Sequence, residues 1–102
     1  MTDSRRVEIA KTIVSQLGGP GKLRATVGVT RFTVFESGVG FRFKGSRKMN
    51  YCRINLNGLD LYDVEFHHVG KFDSAVVESL ENVYSDQLVE LFEKTTGLYI
   101  HL

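Results

Sequence analysis

The chain has 102 residues, 42% of them hydrophobic and 25% charged, a balance that excludes an extended disordered chain, and the length is too short for two self-sufficient cores. Thirteen Lys and Arg against twelve Asp and Glu leave a formal net charge of +1, so no overall field selects an anionic or a cationic partner. The single cysteine, Cys52, cannot close an intrachain disulfide, and no segment has the apolar length of a signal peptide or a bilayer span; the expectation is one soluble domain, residues 1–102, in a reducing cytoplasmic compartment.

The first element is a helix from Ser4 to Leu17, where Val7, Ala10, Ile13, Val14 and Leu17 recur at three- and four-residue intervals. Gly18 can take the left-handed conformation that ends it, and Gly19-Pro20 prevents its continuation. The run Gly18-Gly19-Pro20-Gly21-Lys22 resembles a phosphate loop only loosely: Gln16 stands where a glycine is needed, Leu23 where Ser or Thr is needed, and the run follows a helix. It reads as a helix stop and a turn. Residues 22–30 are ambiguous, because Leu23, Ala25, Val27 and Val29 alternate as in a strand while Leu23 and Val27 also suit a helical turn.

From Phe32 to Lys44 the alternation is clear, with Phe32 and Val34 before Ser37-Gly38 and Val39, Phe41 and Phe43 after it, which predicts a hairpin. A second hairpin is predicted with strands near 49–56 and 60–68. A two-residue Asn57-Gly58 loop would set Cys52 opposite Asp63, charge against core. A three-residue loop pairs Arg53 with Asp63 and gathers Cys52, Ile54, Tyr62, Val64 and Phe66 on one face, and this register is the expectation. Val76 to Leu80 can add a strand. The last element is a helix from about Ser85 to Thr96, with Leu88, Leu91, Phe92 and Thr95 on its apolar side and Gly97 as its stop. Phe43, Ile54, Val64, Phe66, Leu88 and Phe92 should share one core.

The near-zero net charge hides a split. Between residues 22 and 53 eight cations meet only Glu36, whereas between 60 and 94 nine carboxylates meet only Lys71 and Lys94. The basic half holds the candidate nucleic-acid residues Arg42, Lys44, Arg47, Lys48, Tyr51 and Arg53, since cations can neutralise phosphates and nearby aromatics can stack bases on a sheet. The apolar terminus, Leu98, Tyr99, Ile100 and Leu102, should dock on the core or on a protein partner. His67 and His68 are adjacent in a strand and point to opposite faces, so they do not make a metal site, and Cys52 lies on an apolar face that keeps it a neutral thiol. No cofactor is expected, and no nucleophile–base pair or carboxylate pair at usable spacing points to an enzyme.

The ordered set Gln16-Leu17-Gly18-Gly19, Phe41-Arg42-Phe43, Leu56-Asn57-Gly58-Leu59-Asp60, Tyr62-Asp63-Val64-Glu65-Phe66, Val83-Tyr84-Ser85-Asp86-Gln87-Leu88 and Thr96-Gly97-Leu98-Tyr99 resembles a group of short proteins of unknown activity encoded by tailed bacteriophages and by prophage or plasmid regions of bacteria. The resemblance runs from about residue 8 onward. It implies a short helix over 22–30 and a small protein of a mobile element in a bacterial host cell, and it supplies no catalytic residue or cofactor. The combined expectation is an α+β fold: an antiparallel sheet of four or five strands with an N-terminal and a C-terminal amphipathic helix packed on one face. Its function is expected to be that of a protein-binding accessory or modulator of a host or phage protein. The alternative is a nucleic-acid binder using the basic hairpin 42–53, and self-association is a third kind of partnership the sequence permits.

Overall fold

The apolar spacing ahead of Gly18 produces α1 (Thr2–Gln16) in the computed structural model, which describes residues 2–100. Ala10, Ile13, Val14 and Leu17 are buried, while Val7 is 41% exposed at the rim of the face. Gly18 and Gly19 both take positive φ, 112° and 94°, and end the helix. Gly19 is at once the N-cap of α2 (Pro20–Val27), whose first turn holds the proline, a ring that is pre-set for that position. The ambiguous stretch is therefore helical as far as Val27, as the resemblance implies, with Leu23 and Val27 buried and Gly28 closing it at φ 72°.

Five antiparallel strands follow as a meander in the order β1-β2-β3-β4-β5. β1 (Phe32–Val34) and β2 (Gly38–Arg42) form the first hairpin, and Phe35 N–H donates to the Gly38 carbonyl (2.8 Å), closing a loop of Glu36 and Ser37. β3 (Tyr51–Leu56) pairs with β4 (Tyr62–Val69), and β4 with β5 (Ser74–Val83). A 3-10 turn, Ser85–Gln87, leads into α3 (Leu88–Thr96), which Gly97 stops at φ 78°.

The β3–β4 register differs from the expected one. Arg53 lies opposite Glu65 and not Asp63, which faces Asn55. The loop does hold three residues, but they are Gly58, Leu59 and Asp60: Asn57 closes the ladder, its N–H donating to the Leu61 carbonyl (2.8 Å). Asn57 occupies that position because its side chain caps the turn. Its Oδ1 accepts from the N–H groups of Leu59 (2.8 Å) and Leu61 (3.2 Å), and its Nδ2 donates to Asp63 (3.0 Å) and Asn82 (2.9 Å). Asp60, at φ 60°, takes the left-handed position that a three-residue hairpin loop needs. The slip is two residues, an even number, so every side chain stays on its expected face.

One face of the sheet carries Val39, Phe41, Cys52, Ile54, Tyr62, Val64 and Phe66, all buried, and the helices cover it. Phe92 of α3 sits at the centre, its ring centroid 5.1 Å from Phe43, 5.9 Å from Phe66 and 6.2 Å from Phe41. All six residues assigned to a common core belong to it. Both sheet edges are poor templates for further strands: β1 has three residues, and β5 exposes Glu78 and Glu81 and breaks register with β4 twice, with Asn82 at φ 57°. Among the described residues no helix is long and apolar enough to cross a membrane.

Candidate functional site

The β2–β3 connection, residues 43–50, is where the basic segment of the sequence lies. Its apolar members Phe43 and Met49 are buried, and this forces Lys44, Arg47 and Lys48 outward, where all three are exposed. The loop is anchored at both ends. Phe43 N–H donates to the Asn50 carbonyl (3.0 Å), Lys44 N–H to the Val27 carbonyl at the end of α2 (2.8 Å), and Asn50 N–H to the His67 carbonyl (2.9 Å). The Asn50 side chain bridges to β4, donating to the Val69 carbonyl (2.9 Å) and accepting from its N–H (2.7 Å). A meander places the β4–β5 loop at this same end, so Lys71 and the 93% exposed Phe72 join the cations there, with Lys71 Nζ 5.7 Å from the Phe72 ring centroid.

The sheet face turned away from the helices carries the rest. Arg42, Tyr51 and His67 form one cross-strand row; Gly40, Arg53 and Glu65 form the next. Gly40 is buried because two side chains lie across it: an added Cβ would collide with the Tyr51 hydroxyl and come within 2.8 Å of the Phe35 ring. The Arg53 guanidinium carbon lies 3.9 Å from the centroid of the same Phe35 ring. His67 stacks edge-on against Tyr51, centroids 5.7 Å apart, and meets Glu65 at 3.1 Å. Burial pushes the Tyr51 phenol above its usual range, an effect the Arg53 charge only partly offsets, so the hydroxyl remains a donor at neutral pH.

Of the residues singled out in the sequence, Arg42, Tyr51 and Arg53 share the open face, and Lys44, Arg47 and Lys48 occupy the loop at its end. None of the five cations is in an ion pair among the described residues. Most acids lie elsewhere: Glu36 and Asp60 sit in loops at the opposite end of the sheet, and Glu81, Asp86 and Glu90 follow β5 and the start of α3, while Asp73 shares the β4–β5 loop with Lys71 and Glu78 lines one groove with Lys48. The eight residues of β4 set the two ends about 26 Å apart at roughly 3.3 Å per residue, well beyond the ~8 Å screening length at physiological salt. Glu65 and Asp63 are the carboxylates on the open face itself. Phe35, Gly40 and His67 belong to the site without having been assigned to it; Gly38-x-Gly40 inside a strand was the available signal for side chains crossing the backbone.

The terminal segment divides. Ile100 is fully buried and its N–H donates to Glu93 Oε2 (2.8 Å), so it takes the core alternative. Leu98 is partly buried and packs on Gly45, where an added Cβ would lie 2.9 Å from it. Tyr99 is 71% exposed, and Leu102 lies outside the described residues. A separate apolar groove of about 510 Å³ runs between α1 and β1, lined by Val7, Ala10, Val14, Phe32 and Val34 among others. Cys52 is fully buried, which pushes its thiol far above the ordinary range and keeps it un-ionised. The described residues hold no group of three His, Cys, Asp or Glu side chains able to bind a metal ion. No protein-family model matches the chain, and no curated protein or solved structure is significantly similar to it.

Proposed function

We propose that the chain is a binding module without catalytic chemistry of its own, taking single-stranded nucleic acid at the open sheet face and the basic loop at its end. The observation that carries this reading is the gathering of Arg42, Lys44, Arg47 and Lys48 at one end of the sheet with no ion pair among the described residues. Cations without an internal ion pair, on a strand end and on a loop anchored at both ends, neutralise phosphates and release condensed counterions without breaking internal salt bridges. Tyr51, His67 and the exposed Phe72 lie at the same end, giving aromatic surface against which unpaired bases stack. The resemblance to short bacteriophage and mobile-element proteins supports an accessory role of this kind in the cytoplasm of a bacterial host.

A second reading, a protein-binding modulator, is favoured by the α1–β1 groove, beside which Val7 and Val34 are 41% and 44% exposed. An amphipathic helix of a partner protein laid in this groove would bury Val7 and Val34 with its apolar side. Capture from bacterial lysate on the immobilised chain separates the two. Under the nucleic-acid reading nuclease treatment strips the captured material; retention of one protein through nuclease, lost on Val34→Asp, reverses the assignment.

A further inference from the structure

The open face holds one cation whose setting differs from the rest. Arg53 is half-buried, its guanidinium plane is supported by Phe35 at 3.9 Å, and its Nε is buried with no hydrogen-bond partner. The carboxylate opposite it across the ladder, Glu65, is engaged by His67 at 3.1 Å. Beside it the Tyr51 hydroxyl, held over Gly40, is a protonated donor with no acceptor among the described residues. A guanidinium stacked on a ring has its planar fork fixed before any ligand arrives, and less entropy is lost per hydrogen bond than for a free surface arginine. Two adjacent donor groups with no protein acceptor, in a partly desolvated setting, favour an oxyanion that can take several hydrogen bonds at once, and a phosphate has more charge and more oxygens to offer both groups than a carboxylate.

We infer that Arg53, with the Tyr51 hydroxyl, is a phosphate fork on the open face, binding a backbone phosphate of a single strand whose neighbouring phosphates lie along Arg42, Arg47 and Lys48. This rests on the nucleic-acid reading above and adds to it a fixed point of attachment. Phe35 supports the guanidinium and is not offered to a base. The role of Arg53 is geometric, and that of Arg47 and Lys48 is charge alone, so conservative substitution separates them.

The intact chain, labelled with ¹⁵N, is titrated at constant ionic strength with inorganic phosphate, with a fully abasic single strand and with acetate, and the Arg53 Nε–Hε resonance is followed. Phosphate and the abasic strand should move it at lower concentration and further than acetate does. In parallel, binding of a fluorescent oligothymidine is measured against salt. Arg53→Lys should weaken binding about tenfold with the salt slope unchanged, because the charge is kept and the bidentate geometry lost. Arg47→Gln with Lys48→Gln should reduce the slope by about 1.4, twice the single-strand value per phosphate contact. Glu65→Gln should tighten binding by removing a like charge from beside the phosphate. The outcomes are distinct. If oligothymidine binds wild type and Arg53→Lys equally and the Nε resonance stays still, the fork is overturned while the basic loop stands. If no strand binds but phosphate moves the resonance, the fork holds and the nucleic-acid reading falls. Weaker binding by Glu65→Gln, or an equal response to acetate, overturns the fork.

Discussion

Replacing Phe92 with alanine removes the side chain on which the two layers of the fold meet. Phe92 is 2% exposed and its ring lies 5.1–6.2 Å, centroid to centroid, from Phe43, Phe66 and Phe41. Burial of a whole aromatic ring and the cavity left behind together make Phe→Ala cost about 3–5 kcal/mol, and lost ring–ring contacts contribute roughly 0.5–1.5 kcal/mol per pair within that. A chain of 102 residues has a total stability of about 5–15 kcal/mol, so the variant should lose roughly a fifth of it or more. At roughly 4 °C or more per kcal/mol for a domain of this size, the melting temperature should fall by at least about 12 °C. Thermal and urea unfolding followed by circular dichroism reads this, with Tyr99→Ala, 71% exposed, as the neutral control. A Phe92→Ala midpoint equal to that of wild type would mean that α3 does not lie on the sheet as described.

Three further outcomes follow from particular atoms. Asn57→Ala deprives the Leu59 and Leu61 N–H groups and the Asp63 and Asn82 side chains of their shared partner and should cost about 1–3 kcal/mol in urea unfolding. Gly38→Ala should destabilise more than Gly40→Ala, since a Cβ at 38 meets the backbone carbonyl of Ile54 whereas one at 40 meets the movable ends of Tyr51 and Phe35; equal midpoints for the two variants would contradict the packing of β2. The Cys52 thiol should resist iodoacetamide in the native state and react on unfolding. Because its native pKa is raised by burial, the stability linked to it is fully present below the unfolded value of about 8.5. It is then lost as pH climbs toward the native value, by up to about 1.4 kcal/mol per pH unit, a decline that Cys52→Ala should lessen in urea midpoints taken from pH 8 to pH 10.

The sequence carried the faces of the elements more faithfully than their alignment. Period-two alternation assigns Cys52, Ile54, Val64 and Phe66 to the core whatever the register, because any even slip preserves it. The slip itself was set by an interaction that alternation does not encode, the Asn57 side chain folding back on its own loop. A pairing chosen to oppose Arg53 with Asp63 therefore met Glu65 in its place. The helix at 20–27 was hidden because Leu23 and Val27, its two buried residues, fit both periods over so short a span. At the site, the cations were legible as a composition, and their convergence came from topology: a meander brings the β2–β3 and β4–β5 loops to one end. Phe35 escaped notice because it lies at the start of a tight turn, and its position over Gly40 depends on a cross-strand relation that only the folded hairpin creates.

The affinity of the chain for a single-stranded oligothymidine of about 12 nucleotides, a length within the range such surfaces cover, tests the central claim most directly when measured from low to physiological salt. Four cations gathered at one end of the sheet, Arg42, Lys44, Arg47 and Lys48, should give a plot of log affinity against log salt with a slope near −2.8, about −0.7 per phosphate neutralised, or near −3.5 when Arg53 adds its own contact. Arg47→Gln with Lys48→Gln should flatten that slope by about 1.4. A folded sample that binds no oligothymidine even at low salt, or binds it with the same slope after both substitutions, would contradict the assignment of the basic end as a nucleic-acid surface.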